Sequence, residues 1–273
     1  MSDWPQSLLL VGAGKMGEAL LRGWLAAGLE PRRVAILEPA PSSAIEELAA
    51  RLAIRLNPPL AALEAPEVLF LAIKPQTLEA AAPGLAPLAG PDTLIVSILA
   101  GKRIADLKAR LPNSRAHVRV MPNTPAAVGR GASAGFASPA TNARQREWAQ
   151  SLMNAVGVFD WLADERLIDA VTALSGSGPA YVFALVEAMA EAGEEVGLSP
   201  GLAMKLARAT VEGAGELMHR EPAVPAGKLR ENVTSPGGAT AAALAVLSAP
   251  DGLAALMTRA AAAAKRRAEE LAG

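Results

Sequence analysis

The chain has 273 residues, a formal net charge of −1, two histidines and no cysteine. The near-neutral charge argues against nucleic-acid and membrane-surface partners, and the lack of cysteine excludes disulfides, a thiolate nucleophile and a cysteine-based zinc site. His117 and His219 show no ligand-like spacing, so no metal site is expected. Without a signal-type first segment or an unbroken apolar run of about 20 residues, the sequence predicts a cytoplasmic protein.

The first predicted strand, Leu8–Val11, runs into a Gly-x-Gly-x-x-Gly turn. In such a turn Gly12 makes the bend, Gly14 leaves room for a pyrophosphate, and Gly17 lets the following helix lie close to the strand. An apolar helix face, a helix-ending glycine and a second strand follow at Leu20, Leu21, Trp24, Leu25, Gly28 and Val34–Leu37. This complete βαβ unit predicts a bound dinucleotide with its phosphates at the helix N-terminus.

Glu38 follows the second strand, about 20 residues after Gly17, where an acidic side chain accepts hydrogen bonds from the adenosine ribose hydroxyls. Apolar strands then alternate with helices. The predicted helices are Ser43–Leu52, Ile104–Leu111 and Asn142–Ala155, and the predicted strands are Val68–Ile73, Thr93–Ile98, Ala116–Val120 and Val158–Leu162. The alternation predicts an α/β fold with a doubly wound sheet.

Three of these strands are followed by short segments that contain proline or glycine, at Ala72–Pro75, Ile98–Gly101 and Met121–Pro125. A proline after a strand often does no more than end it. Three such segments at the carboxyl edge of one sheet nevertheless favour a ligand site. Lys74 is a candidate for contact with the cofactor or an anionic substrate, and a solvated lysine at the rim is the alternative.

After about residue 160 the pattern becomes helical. The predicted helices are Glu165–Leu174, Ala180–Val196, Pro200–Met218, Gly252–Leu271 and a shorter one starting near Gly238. We therefore predict a dinucleotide-binding domain over residues 1–160 and a helical domain over residues 161–273. The helices are rich in alanine and apolar on more than one face, which predicts burial in a subunit interface.

Two segments of the helical half carry candidate chemistry. Leu174–Tyr181 is small and polar, and a plain turn between helices explains it equally well. Asn232–Thr240 places hydroxyls and free N–H groups at a helix start, where a carboxylate is stabilised by hydrogen bonds and the helix dipole. An N-cap loop without a ligand remains the alternative for this segment.

The residues Leu229–Leu244 resemble the signature of the pyrroline-5-carboxylate reductase family. Other motifs of the same family are resembled, in the family's order, by Ala72–Pro75, Met121–Pro125 and Asp169–Tyr181. The resemblance therefore covers essentially the whole chain. It implies an N-terminal Rossmann-like domain and a C-terminal all-helical dimerisation domain. It also implies hydride transfer from NADPH or NADH to L-1-pyrroline-5-carboxylate, giving L-proline, in a homodimer of the kind that often assembles further into a decamer in this family.

The resemblance also implies site residues. With Glu38, the cofactor set is Val11, Gly12, Ala13, Gly14, Lys15, Met16, Asn57, Ala72, Ile73, Lys74, Pro75, Ile98, Leu99 and Ala100. The substrate set is Glu165, Asn232, Ser235, Gly238, Ala239 and Thr240. Thr240 is the catalytic candidate, holding the ring nitrogen while nearby N–H groups hold the carboxylate. For Glu165 the alternative is an acidic helix start that complements the dipole.

Glu38 differs from the short polar or basic residues that many members of this family place near the 2′-phosphate of NADPH. A carboxylate there repels the phosphate and predicts a relative preference for NADH. Arg32, Arg33, Ser42 and Ser43 remain candidates to receive the phosphate.

Two other functions stay open at this point. One is a related imine or β-hydroxyacid reductase, although a hydroxyacid enzyme needs a Lys or His acid for the developing alkoxide and only Lys74 is suitably placed. The other is a dinucleotide-binding sensor without turnover.

Overall fold

The computed structural model describes residues 4–272. Its strands are β1 (Leu8–Val11), β2 (Val34–Leu37), β3 (Arg55–Leu56), β4 (Val68–Leu71), β5 (Leu94–Ser97), β6 (Ala116–Met121), β7 (Gly131–Ala137) and β8 (Gly157–Trp161). Its helices are α1 (Lys15–Ala26), α2 (Ser43–Leu52), α3 (Leu78–Leu85), α4 (Ile104–Arg110), α5 (Ala143–Asn154), α6 (Leu167–Val171), α7 (Gly178–Glu195), α8 (Pro200–Arg220), α9 (Ala226–Asn232), α10 (Ala239–Leu247) and α11 (Leu253–Ala272).

The strands form one sheet in the order β3-β2-β1-β4-β5-β6-β7-β8. All neighbouring pairs are parallel except β6 and β7, which are antiparallel. Every residue of β1, β4 and β5 is buried, as expected for continuous apolar strands covered on both faces. The predicted Rossmann-like doubly wound fold is confirmed.

Each face of the sheet carries its own core. On one face α1, α2 and α5 bury side chains such as Trp24, Ile45 and Leu152, while on the other α3 and α4 bury Leu78 and Leu107. The Trp24 indole meets the Phe70 ring edge-on, and its Nε1–H donates to the Leu152 carbonyl at 2.8 Å. These contacts fix α1, and with it the glycine turn, against the sheet.

Within the described residues the chain forms two compact units, residues 4–177 with 264–272, and residues 178–263. The first unit contains the sheet. It also keeps residues 161–177, because α6 packs on β6 and β7. The domain boundary near residue 160 stays a prediction. It differs from the division between the two compact units, which falls after Ser177.

In the second unit, α7 and α8 pack closely on each other. Ala190, Ala203 and Ala207 are buried there, and a Cβ placed on Gly193 would lie 3.0 Å from the Ala203 Cβ. Small side chains let the two helix backbones approach. The alanine-rich composition thus serves close helix packing in this unit.

Four elements were not predicted from sequence: β3, β7, α3 and α9. The α3 helix contains Pro83, which obscures a helical pattern. The predicted helix from Glu165 to Leu174 is shorter, and a π-helical turn over Thr172–Gly176 follows α6. No helix within residues 4–272 combines the length and apolar character needed to cross a bilayer.

Candidate functional site

The carboxyl ends of four parallel strands meet at one edge of the sheet, which we call the dinucleotide edge. The backbone N–H of Gly12 donates to the Leu37 carbonyl at 2.8 Å, and that of Ala72 donates to the Val11 carbonyl at 2.8 Å. The N–H of Ile98 donates in the same way to the last carbonyl of β4 at 3.1 Å. The residues that follow β1, β2, β4 and β5 therefore lie side by side.

The glycine turn fits a pyrophosphate. Gly12 has φ = +95°, and a Cβ there would lie 2.7 Å from the Ala72 carbonyl carbon and oxygen, while a Cβ on Gly17 would collide with the Gly12 carbonyl oxygen. A Cβ on Gly14 would meet nothing within 4 Å. Gly14 is the N-cap of α1 and supplies no side-chain cap, so a bound phosphate can provide acceptors for the N–H groups of the first helical turn.

Glu38 is fixed at the end of β2 by four hydrogen bonds to three residues. Its Oε2 accepts a hydrogen bond from the Ala13 N–H at 2.8 Å, and its Oε1 accepts one from the Ala40 N–H at 3.1 Å. The Glu38 backbone is paired with the Asn57 amide, which accepts at 2.8 Å and donates at 2.9 Å. Asn57 has φ = 49°, a left-handed conformation that asparagine tolerates. Asn57 therefore positions Glu38.

The remaining cofactor candidates line the same edge in different ways. Lys74 is exposed, and Pro75 begins a short 3-10 turn whose Thr77 hydroxyl donates to the Lys74 carbonyl at 2.7 Å. Leu99 is only 1% exposed and belongs to a sheet core, so its side chain is structural. Ile73 packs partly buried against the same core, whereas Ala100 is exposed.

Glu165 lies in the first unit, in a cluster with Arg119 and Asp169. Its Oε1 accepts from the Ile104 N–H at the start of α4 at 2.7 Å and lies 3.5 Å from Arg119 Nη1. Arg119 Nη2 lies 3.7 Å from an Asp169 carboxylate oxygen. The Arg119 side chain is 2% exposed, and this burial lowers the pKa of its guanidinium, against the opposing effect of the two carboxylates. Glu165 thus stabilises α4 and a buried cation.

The segment Asn232–Thr240 lies in the second unit, between α9 and α10. Gly237 has φ = +68°, and Gly238 is the N-cap of α10 without a side-chain cap. Thr240 is the second residue of α10 and is exposed. The other substrate candidates on this segment, Asn232, Ser235 and Ala239, are also exposed. The segment therefore combines exposed hydroxyls with the N–H groups of a helix start, the kind of groups that can bind a carboxylate.

Two family models match the parts of the chain that contain the segment Asn232–Thr240 and the glycine turn. A family model described as pyrroline-5-carboxylate reductase dimerisation matches residues 165–271, and one described as NADP oxidoreductase, coenzyme F420-dependent, matches residues 7–101. The pyrroline-5-carboxylate reductase of Pseudomonas aeruginosa is 42% identical over 266 residues, covering 97% of this chain and 96% of that protein. The chain belongs to the pyrroline-5-carboxylate reductase family.

Solved structures of the family agree. The Coxiella burnetii pyrroline-5-carboxylate reductase superimposes with a TM-score of 0.90 at 32% identity, covering 98% of this chain and 99% of that one. The Plasmodium falciparum pyrroline carboxylate reductase, solved with NADP bound, has a TM-score of 0.80 at 26% identity and full coverage of both chains.

Sequence reasoning about the family motifs missed two structural residues. Asn123, within Met121–Pro125, donates from Nδ2 to the Ser175 carbonyl at 3.0 Å and accepts at Oδ1 from the Ala132 N–H at 2.8 Å. It ties two family segments together inside the first unit. Arg119 had one sequence signal, a lone charge within an apolar strand, and such a buried charge requires partners.

Proposed function

We propose that the chain reduces L-1-pyrroline-5-carboxylate to L-proline with NADPH or NADH. The observation that carries this proposal is the 42% identity, over 97% of the chain, to a pyrroline-5-carboxylate reductase. The dinucleotide edge supports it, because the glycine turn leaves room for a pyrophosphate at a helix N-terminus. The bound dinucleotide would supply the hydride that adds to the C=N carbon of the substrate.

At the dinucleotide edge, the backbone from Val11 to Met16 would hold the pyrophosphate and Glu38 would hold the adenosine ribose. The exposed Lys74 is available to an anionic group on either ligand. The edge thus provides orientation, which supplies much of the catalysis of a hydride transfer between two bound molecules.

The substrate needs an anchor for its carboxylate and a partner for its ring nitrogen. The Gly238 N–H already donates to the Ser235 carbonyl at 3.1 Å, so we propose that the N–H groups of Ala239 and Thr240 bind the carboxylate. The Thr240 hydroxyl would accept a hydrogen bond from the protonated nitrogen. The hydride then adds to the carbon of the iminium, and the proton already on nitrogen stays in the product. Asn232, Ser235 and Glu165 complete the proposed substrate set.

We propose that the active form is at least a homodimer, that it assembles further into a decamer, and that it works in the cytoplasm. Large apolar side chains are exposed on the helices of the second unit, including Phe183, Leu206 and Leu217 at 64%, 48% and 53%. Of these, Phe183 borders a groove of about 400 Å³, which Met204 and Val211 also line. Exposed apolar surface on this scale requires a partner. A fully active monomer at assay concentrations in sedimentation velocity would contradict the dimer.

The enzymatic proposal is tested by following NADH and NADPH oxidation at 340 nm with L-1-pyrroline-5-carboxylate, other cyclic imines and a panel of 2-keto and β-keto acids. We expect turnover with L-1-pyrroline-5-carboxylate and formation of proline in equal amount to the dinucleotide consumed. Turnover only with another imine or with a keto acid would indicate a related reductase. Dinucleotide binding without turnover of any compound would indicate a sensor.

A further inference from the structure

We propose that Glu38 makes this chain select NADH over NADPH, because its fixed carboxylate occupies the place that the 2′-phosphate would need. The inference rests on the proposed dinucleotide-dependent function and goes further, because it assigns the cofactor choice to one residue and its supports. Three observations carry it: how the carboxylate is held, how many hydrogen bonds it has left to accept, and where the nearby cations lie.

The carboxylate is rigidly placed beside the glycine turn. Ala13, inside the turn, donates its N–H to Glu38 Oε2 at 2.8 Å, so the acidic group and the pyrophosphate cradle are joined directly. Asn57 brackets the Glu38 backbone with two hydrogen bonds of 2.8 and 2.9 Å. Because Asn57 holds the backbone and the N–H groups of Ala13 and Ala40 hold the carboxylate, the side chain cannot easily swing away to admit a phosphate.

The carboxylate retains capacity for a diol. Two carboxylate oxygens offer about four lone-pair sites. One N–H from Ala13 and one from Ala40 use two of them. The remaining sites suit the two ribose hydroxyls of NADH, whereas a 2′-phosphate brings a second anion and no donor when it is fully ionised.

The candidate cations for the 2′-phosphate lie at the wrong end of β2. Arg32 and Arg33 precede the strand, and Glu38 follows it. At about 3.3 Å per residue, the four residues of β2 separate the two ends by roughly 13 Å. Arg32 and Arg33 are also paired with Glu30, at 2.6 and 2.7 Å. Neither arginine is placed to neutralise a phosphate beside Glu38.

The candidate hydroxyls do not compensate either. Ser42 is the N-cap of α2, and its Oγ accepts from the Ile45 N–H at 3.3 Å, so it already serves the helix. Ser43 is exposed in the first turn of α2, but a neutral hydroxyl does not offset the repulsion of two anions. With these four candidates removed, the charge of Glu38 decides the choice.

The test measures dissociation constants of NADH and NADPH for the full chain by calorimetry, without substrate. We expect the wild type to bind NADH on the order of 10- to 100-fold more tightly, the range for a charged hydrogen bond gained or lost. Glu38→Gln keeps an oxygen for the Ala13 N–H and removes the charge, so the two constants should become nearly equal, mainly through tighter NADPH. Glu38→Ser should do the same. Glu47→Gln, on the exposed face of α2, is the matched control and should keep the wild-type ratio.

Equal or tighter binding of NADPH by the wild type, or an unchanged ratio in Glu38→Gln, would overturn the inference. Turnover of L-1-pyrroline-5-carboxylate, measured on the same preparations, separates this failure from failure of the proposed function. Preferential NADH binding without turnover would support the inference and contradict the function. Turnover with an NADPH preference would do the reverse, and binding of neither dinucleotide would overturn both.

Discussion

The dinucleotide edge and the segment Asn232–Thr240 are built in opposite ways. At the edge, strand register, two sterically required glycines and the Glu38 contacts fix the geometry within one compact unit. The segment is mostly exposed and makes local hydrogen bonds, such as that from the Thr234 hydroxyl to the Arg230 carbonyl at 2.7 Å. The edge is therefore organised by contacts within its own unit, whereas we propose that the groups of the segment find their partners in a ligand or a second subunit.

The largest effects on stability and dinucleotide binding should come from substitutions at Gly12 and Gly14, which distinguish folding from binding at the edge. Gly12→Ala places a Cβ 2.7 Å from the Ala72 backbone at φ = +95°, so it should lower the free energy of unfolding by roughly 2–4 kcal/mol and weaken dinucleotide binding. Gly14→Asp adds a side chain in open space at the N-cap of α1, where aspartate stabilises a helix.

For Gly14→Asp we therefore expect a normal or slightly raised Tm together with a loss of at least about 100-fold in dinucleotide affinity, because the new anion faces the pyrophosphate. Urea unfolding and calorimetry on both variants check the pair. Tight dinucleotide binding by Gly14→Asp would remove the pyrophosphate from this turn.

Thr240 tests the second region of the comparison. Thr240→Ala should lower kcat/KM by about 10- to 100-fold, since a hydrogen bond to a charged group contributes roughly 1.5–3 kcal/mol. Carboxylate anchoring by backbone N–H groups should survive, so KM should change less than kcat.

Thr240→Ser keeps the hydroxyl and should retain most of the turnover. Tm and dinucleotide affinity, measured on the same preparations, identify a merely structural role, which would lower Tm and leave turnover near normal. Near-normal turnover in a folded Thr240→Ala would take this residue out of the mechanism.

The smallest predicted effect uses the two histidines, one in each compact unit. His117 is fully buried in β6, and its burial, with a smaller effect of the Lys108 charge, lowers its pKa to about 4. The unfolded chain takes up this proton near pH 6.5 and the folded chain does not, so stability falls as the pH falls between these values. Between pH 7 and 5.5 the loss should be about 1 kcal/mol.

Urea unfolding at several pH values measures this loss. His117→Leu should remove this part of the pH dependence, whereas His219→Gln, at an exposed position on α8, should leave the profile unchanged. An identical pH profile in His117→Leu would show that another group causes the loss.

The local parts of the fold were predictable because they depend on neighbours in sequence. The glycine turn, the first two strands and α2 follow from short motifs, and the α5 helix begins after Asn142 with the capping pattern that its sequence suggests. β7 was missed because its sequence is dominated by glycine, alanine and serine. The glycine at position 135 has a steric cause, because a Cβ there would lie 2.9 Å from the Phe159 ring.

The long-range parts of the candidate site were not predictable from spacing. Asn57 approaches Glu38, and Glu165 approaches Arg119 and Ile104, only because the sheet brings distant segments together. The family resemblance supplied Asn57 and Glu165 as candidates without their contacts. The structure adds the contacts of Asn57 and Glu165, while the roles of Thr240 and its neighbours remain predictions.

The proposed homodimer gives the exposed Thr240 segment a partner, and we therefore propose that each active site combines a dinucleotide edge from one chain with a Thr240 segment from the other chain. The direct measurement is proline formation by mixed dimers of Gly14→Asp and Thr240→Ala, prepared by co-expression with different tags. If the sites are shared, a mixed dimer has one doubly damaged site and one intact site, so a randomly assorted sample should regain about a quarter of wild-type activity. Activity no higher than the average of the two separate variants would contradict the claim.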